Sequence, residues 1–309
     1  MKAEGCLADR ATFSFHPSSF RLHPFPPFPV LPRRLFLRTL ATAAVAPFTA
    51  LHAAPSASVR IVVEGRGPWG KASPGDIGRV AESAAGELWK WCPQTRMDGI
   101  RIYRRPDFPQ TDFGRGIDGR IAIGLAVEHQ RWSQFAFQFA HEFCHALAQH
   151  SAVGIRGWHE PRHANLWLEE SLCETASLFA LRRMAESWRT RPPYRNWRDF
   201  APHHAAYAAE RLAERRHQLP EGRSFRAWFA ENENSMRANH ALREKNVIVA
   251  RELLPLFEAA PENWEAIPYL NHGPRVRGRL LREKIADWQA AAPLAHRAFI
   301  ARLGALLGV

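Results

Sequence analysis

His141, Glu142 and His145 are the residues of this chain whose types and spacing point most directly to chemistry. Two imidazoles four positions apart on a helix face the same way, with Cβ atoms about 5–6 Å apart. Both can reach one metal ion, at zinc–nitrogen distances of about 2.0–2.1 Å. Glu142 follows the first histidine and projects beside that ion. Zinc lowers the pKa of a bound water toward about 7. A neighbouring carboxylate can take that proton and later pass it to a leaving group. The pattern H-E-x-x-H on a helix therefore reads as the centre of a hydrolase using one Zn2+, with Glu142 as general base.

The motif must lie on a helix, and its surroundings supply one. Phe135, Phe139, Ala140, Phe143, Ala146 and Leu147 fall at helical spacing, and Ser133 is placed to cap the N-terminus, predicting a helix over 133–150. A catalytic zinc also needs a third protein ligand and an open fourth position. The metzincin pattern would put glycine at 148 and histidine at 151, but Ala148 and Ser151 stand there. The other source is a glutamate on a second helix, predicted over 166–185, where Glu169, Glu170 and Glu174 cluster.

Trp167-Leu168-Glu169-Glu170-Ser171 resembles the W-L-x-E-G segment of gluzincin metallopeptidases, the group that includes the peptidase MA-like bacterial proteins. The resemblance implies that Glu170 is the third zinc ligand. Ser171 replaces the usual glycine, and 24 residues separate His145 from Glu170. It also implies that Glu174, one turn later, hydrogen-bonds a zinc-bound histidine, fixing its tautomer and raising its basicity. Glu169 is rotated about 100° from Glu170 and reads as a complement to the helix dipole, not a ligand. Gluzincins further use a Tyr or His from the helical lobe to stabilise the developing oxyanion. Tyr207, His240 and Tyr269 are the candidates, and Tyr207 is favoured because the segment 204–209 resembles the tyrosine-bearing helix of the family. The strand before the H-E-x-x-H helix, here 120–125, has two readings: a sheet edge that pairs with an extended substrate, as the resemblance implies, or a plain core strand. His150, His159 and His163, between the two helices, read as surface histidines.

Other elements must position this pair. Residues 59–64 alternate and are β-branched, predicting a strand; 99–103 and 120–125 predict two more. Pro74 opens a helix predicted over 74–92. Beyond 190 the pattern is helical, broken at Pro192-Pro193, Pro220, Pro261 and Gly273-Pro274. The fold class expected is α+β: a small α/β unit over 55–132, the active-site helix pair over 133–185 and an all-α lobe over 186–309.

Residues 1–54 read as a leader. Arg33-Arg34-Leu35-Phe36-Leu37-Arg38 resembles a twin-arginine export signal, followed by a mildly apolar stretch from Thr39 to Leu51 and small residues that place cleavage near 53–57. The Phe- and Pro-rich stretch 12–32 has no expected fold, and the true start is expected nearer residue 30. The implied partners are the twin-arginine machinery and a peptide or protein substrate, in the periplasm or outside the cell. No apolar run is long enough for a stable membrane span.

The net charge of +12 comes from arginines spread along the chain, with only five lysines among 42 basic residues. No basic run marks a nucleic-acid strip. Cys92, Cys144 and Cys173 lack CxxC spacing, which argues against a cysteine-based zinc site; Cys144 and Cys173 are compatible with a disulfide or with two buried thiols. Two rival functions remain: a non-catalytic zinc-binding module, and a zinc amidase acting on cell-wall material.

Overall fold

The computed structural model describes residues 59–116, 118–150, 164–274 and 278–309. The export motif, the Phe- and Pro-rich stretch, the expected cleavage region, His159 and His163 lie outside the described residues. What is described is mixed: one four-stranded sheet, with the remainder mostly helical.

The sheet contains β1 (Ile61–Val63), β2 (Ile100–Arg104), β3 (Gln110–Arg115) and β4 (Ile121–Leu125), in the order β1-β2-β4-β3. β1, β2 and β4 are parallel, and β3 runs antiparallel to β4. Helix α1 (Pro74–Trp89) links β1 to β2; Ser73 caps it by accepting from the Asp76 amide at 3.0 Å. Ile100, Ile102, Ile121, Ile123 and Leu125 are buried in the main core with Ile77, Val80, Ala84 and Leu88 of α1. Across β4, a Cβ on Gly124 would lie 2.3 Å from Arg105 Cδ, so any larger residue there would require the Arg105 side chain to move.

Of the two readings of 120–125, the core strand holds and the sheet edge does not. β4 (121–125) lies between β2 and β3, and the edge beside it is β3, which the sequence did not announce. Its residues Gln-Thr-Asp-Phe-Gly-Arg are mostly polar, follow Pro109 and carry a bulge between Asp112 and Arg115, so no regular alternation marks them.

Helices α2 (Trp132–His150) and α3 (Leu166–Thr190) form the buried centre. α3 packs on α1, α2, α4 (Ala201–Ala213) and α6 (Arg243–Ala259). It is buried along most of its length, which is why apolar residues appear on every side of it. Ser171, in the place of the family's glycine, is fully buried and donates to Trp167 O at 2.8 Å within the helix. Helices α5 (Phe225–Ala238), α7 (Leu281–Ala291) and α8 (Leu294–Leu306), with a 3-10 segment at Pro261–Tyr269, complete the lobe. None of the described helices is long and apolar enough to cross a membrane.

Ser133 does not cap α2. The helix begins one residue earlier, and Ser133 Oγ instead meets His204 Nδ1 of α4 at 3.1 Å. His204 is fully buried against Trp188, with ring centroids 4.5 Å apart. Burial, with His203 adding, pushes its pKa down to about 3. The unfolded chain, with an ordinary histidine near 6.5, therefore binds this proton first. Stability from His204 is complete above about pH 6.5 and falls, by up to about 1.4 kcal/mol per pH unit, as pH drops toward 3. Urea unfolding at pH 6.5 and 5.5 is expected to show wild type losing about 1 kcal/mol more than His204→Leu. Equal losses would mean that the buried ring is not held neutral.

Candidate metal centre

α2 brings His141 and His145 one turn apart, with ring centroids at 5.1 Å. α3 crosses beside them and presents three carboxylates and a thiol. Glu170 lies against both rings: Oε2 is 3.3 Å from His141 Nε2, and Oε1 is 3.7 Å from His145 Nε2. Each carboxylate oxygen thus faces a different imidazole. The Glu170 side chain is 25% exposed while both histidine side chains are near 10%, so the cluster opens to solvent on the glutamate side.

The Nδ1 sides of the rings face the other two glutamates, and one of the two is held by a hydrogen bond. His145 Nδ1 is 2.7 Å from Glu169 Oε1, a hydrogen bond between buried partners. The second oxygen, Oε2, accepts from Asn271 Nδ2 at 2.7 Å. This corrects the expectation that Glu169 serves the helix dipole: it is almost wholly buried and holds a histidine. Nδ1 of His141 stands 3.8 Å from Glu174 Oε1, an ionic distance and not a hydrogen bond. Glu174 pairs instead with Arg243 Nε of α6 at 2.8 Å.

Electrostatics tie these groups together. Burial alone would strip the charge from each of them. Against it, the Glu170 and Glu169 carboxylates hold His145 well above its ordinary pKa, and His145 and His141 hold Glu170 well below the carboxylate range. The negative field that favours a proton on His145 equally favours a metal cation between the rings. The donor set fits such an ion. His145 donates from Nδ1 to Glu169, so Nε2 is the nitrogen that faces Glu170, and a metal bound there would displace the proton that the carboxylates hold on the ring.

Cys173 lies one turn beyond Glu169. The donor atoms of His141, His145 and Cys173 fall within 4.8 Å of one another, and this buried group can hold a metal ion. The expectation of no cysteine at a metal site overlooked it, because that expectation rested on CxxC spacing and Cys173 approaches from another helix. Its thiol is pushed well above the usual range by burial and by hydrogen bonding to Cys144. Cys92, Cys144 and Cys173 are all free thiols, so no disulfide joins the two helices.

Glu142 points to the side of the sheet. Thr111 Oγ1 of the edge strand lies 2.9 Å from Glu142 Oε2 and 2.8 Å from the Glu142 carbonyl oxygen. The hydroxyl has one proton, so it can donate to the carbonyl and accept from the carboxyl when Glu142 is protonated. Burial raises the Glu142 pKa, opposed by His141, His145 and Thr111.

The three oxyanion candidates lie in the helical lobe. The Tyr207 ring packs edge-on against Phe137, one turn before His141 on α2, at 5.8 Å between centroids. Its phenol is raised by burial against the pull of Arg211 and Arg243, so it remains a donor. His240 lies between α5 and α6, and its carbonyl accepts from Asn246. Tyr269 closes the 3-10 segment and packs on His272, two residues from Asn271 on one side.

Compared with protein-family models, curated proteins and solved structures, the chain matches none of them.

Proposed function

We propose that the chain is an exported, zinc-dependent metallopeptidase in which His141, His145 and Glu170 hold the metal and Glu142 is the general base. The observation that carries the reading is the convergence of both Nε2 atoms on the two oxygens of Glu170, with a buried glutamate between the histidines in sequence. A zinc ion held there supplies a Lewis acid and brings a bound water toward a pKa of about 7.

The chain's own groups do the rest. Glu142 takes the proton from the attacking water and returns it to the leaving amine. Its raised pKa suits that exchange, and Thr111 fixes its carboxyl from the edge strand. Glu169 holds His145 in the tautomer that a metal requires, and Glu174 places a carboxylate behind His141. Tyr207 is the donor proposed for the developing oxyanion. The edge strand β3, not β4, is the proposed place for an extended peptide to add, through main-chain hydrogen bonds. Export to the periplasm or exterior rests on the leader's sequence pattern: the Arg33–Arg38 motif, the apolar stretch from Thr39 to Leu51 and the small residues after it.

One observation favours a rival. Cys173 beside the same histidines, added to Glu170, would give four protein ligands and a closed, non-catalytic site. Against it, each oxygen of Glu170 already faces one of the two Nε2 atoms, while the Cys173 thiol is engaged with Cys144. Glu142 would also have no task in a closed site.

The test is hydrolysis of an unfolded protein such as casein by the whole chain. Cleavage should stop on removal of metal by a chelator and return on addition of zinc. Cleavage that survives complete metal removal would reject the reading.

A further inference from the structure

The C-terminal lobe reaches the histidine cluster through a line of buried polar groups that no motif foretells. Lys284 sits on α7 and is 5% exposed. Its Nζ donates to Leu270 O at 2.6 Å and to Asn271 Oδ1 at 2.9 Å. The other end of the same amide, Asn271 Nδ2, donates to Glu169 Oε2 at 2.7 Å. Glu169 Oε1 then meets His145 Nδ1 at 2.7 Å.

An asparagine side chain can present either its oxygen or its nitrogen to a neighbour. Between an ammonium group, which only donates, and a carboxylate, which only accepts, one orientation satisfies both ends. The cation therefore fixes the amide, and the amide holds the carboxylate that holds the histidine. Lys284 also places a positive charge one group away from a carboxylate that burial would otherwise disfavour.

We propose that Lys284 is a positioning residue for the metal centre: acting through Asn271 and Glu169, it fixes the tautomer and orientation of His145. This inference rests on the metal reading given above. A lysine whose only task was to tie α7 to the Leu270 carbonyl would affect stability alone. A lysine that sets His145 must affect metal affinity, and only while Glu169 is a carboxylate. With glutamine at 169, Lys284 still fixes Asn271, but the glutamine oxygen then accepts from Asn271 Nδ2 and its amide nitrogen faces His145 Nδ1, so no carboxylate remains through which Lys284 can set the ring. Loosening Asn271 at that point costs nothing further.

The experiment is a double-mutant cycle on the affinity of the whole chain for zinc alone, by competition with a chromophoric chelator, with thermal unfolding of each metal-free protein alongside. Lys284→Met is expected to weaken zinc binding about 10–100-fold, the range for changes to groups that orient a ligating histidine. Glu169→Gln should fall in the same range. The double variant should bind no more weakly than Glu169→Gln alone, because the two substitutions cut one path. The cycle is repeated with Asn271→Leu in place of Lys284→Met, so that a failure of one variant to fold leaves the middle of the path to be tested. Zinc affinity unchanged in Lys284→Met, or losses that multiply in the double variant, would overturn the proposal while leaving the metal centre standing. Wild-type protein that binds no zinc would instead remove the reading on which it rests.

Discussion

Glu142→Gln is expected to bind zinc with wild-type affinity and to lose peptide hydrolysis by about 10²–10⁴-fold, the contribution of a positioned acid–base group. The substitution is nearly isosteric. The glutamine keeps an oxygen within reach of Thr111 Oγ1, which meets the native carboxyl at 2.9 Å, so the helix and its histidines stay in place. What is lost is the ability to take up and release a proton. The loss should appear in kcat and in kcat/KM together, since the proton is in flight only at the transition state. Binding of a non-cleavable peptide, measured separately, should be unchanged. A variant that cleaves at the wild-type rate would mean that Glu142 is not the base, whatever the metal does.

The second large effect separates the two possible ligand sets. Glu170→Ala is expected to reduce zinc affinity by more than about 100-fold, beyond the range seen when only an orienting partner is removed. Cys173→Ala should change it by less than about 3-fold. The distances motivate the difference: both Nε2 atoms face the Glu170 carboxylate, at 3.3 and 3.7 Å, whereas the Cys173 thiol is engaged with Cys144. The same contrast should appear in stability. Zinc at about 100 times its dissociation constant stabilises a folded protein by about 2.7 kcal/mol. Wild type and Cys173→Ala should both gain that stabilisation, and Glu170→Ala should gain less than about 0.4 kcal/mol at the same zinc concentration. The opposite pattern would make the cysteine the ligand and favour a closed, non-catalytic site.

Much of this arrangement was legible in the sequence because it is written locally. The spacing of His141 and His145 is one helical turn, and the aromatic and alanine positions around them give the helix its period. Strands 99–103 and 120–125, rich in isoleucine, were located to within a residue or two, and the prolines at 192–193, 220 and 261 fall at element boundaries. The edge strand escaped because its six residues are largely polar and bulged; what makes them a strand is the free edge of β4, which no local pattern encodes.

Glu169 was misread for a different reason. A rotation of 100° from Glu170 turns a residue away from a point, but not away from a whole helix lying alongside. α2 offers one histidine Nε2 to Glu170 and, on its other nitrogen, a partner for Glu169. Asn271, Lys284 and Arg243 were invisible in advance because each lies far along the chain from the histidines and carries no motif. Their roles arise only when α6, α7 and the segment before α7 fold back against α2 and α3.

The most direct measurement of the central claim is X-ray absorption at the zinc edge on the purified, zinc-loaded chain. The account predicts one zinc per chain, surrounded by nitrogen and oxygen at about 2.0–2.1 Å, with two imidazoles and no sulfur. A zinc–sulfur shell at about 2.3 Å, or a chain that takes up no zinc at all, would contradict it.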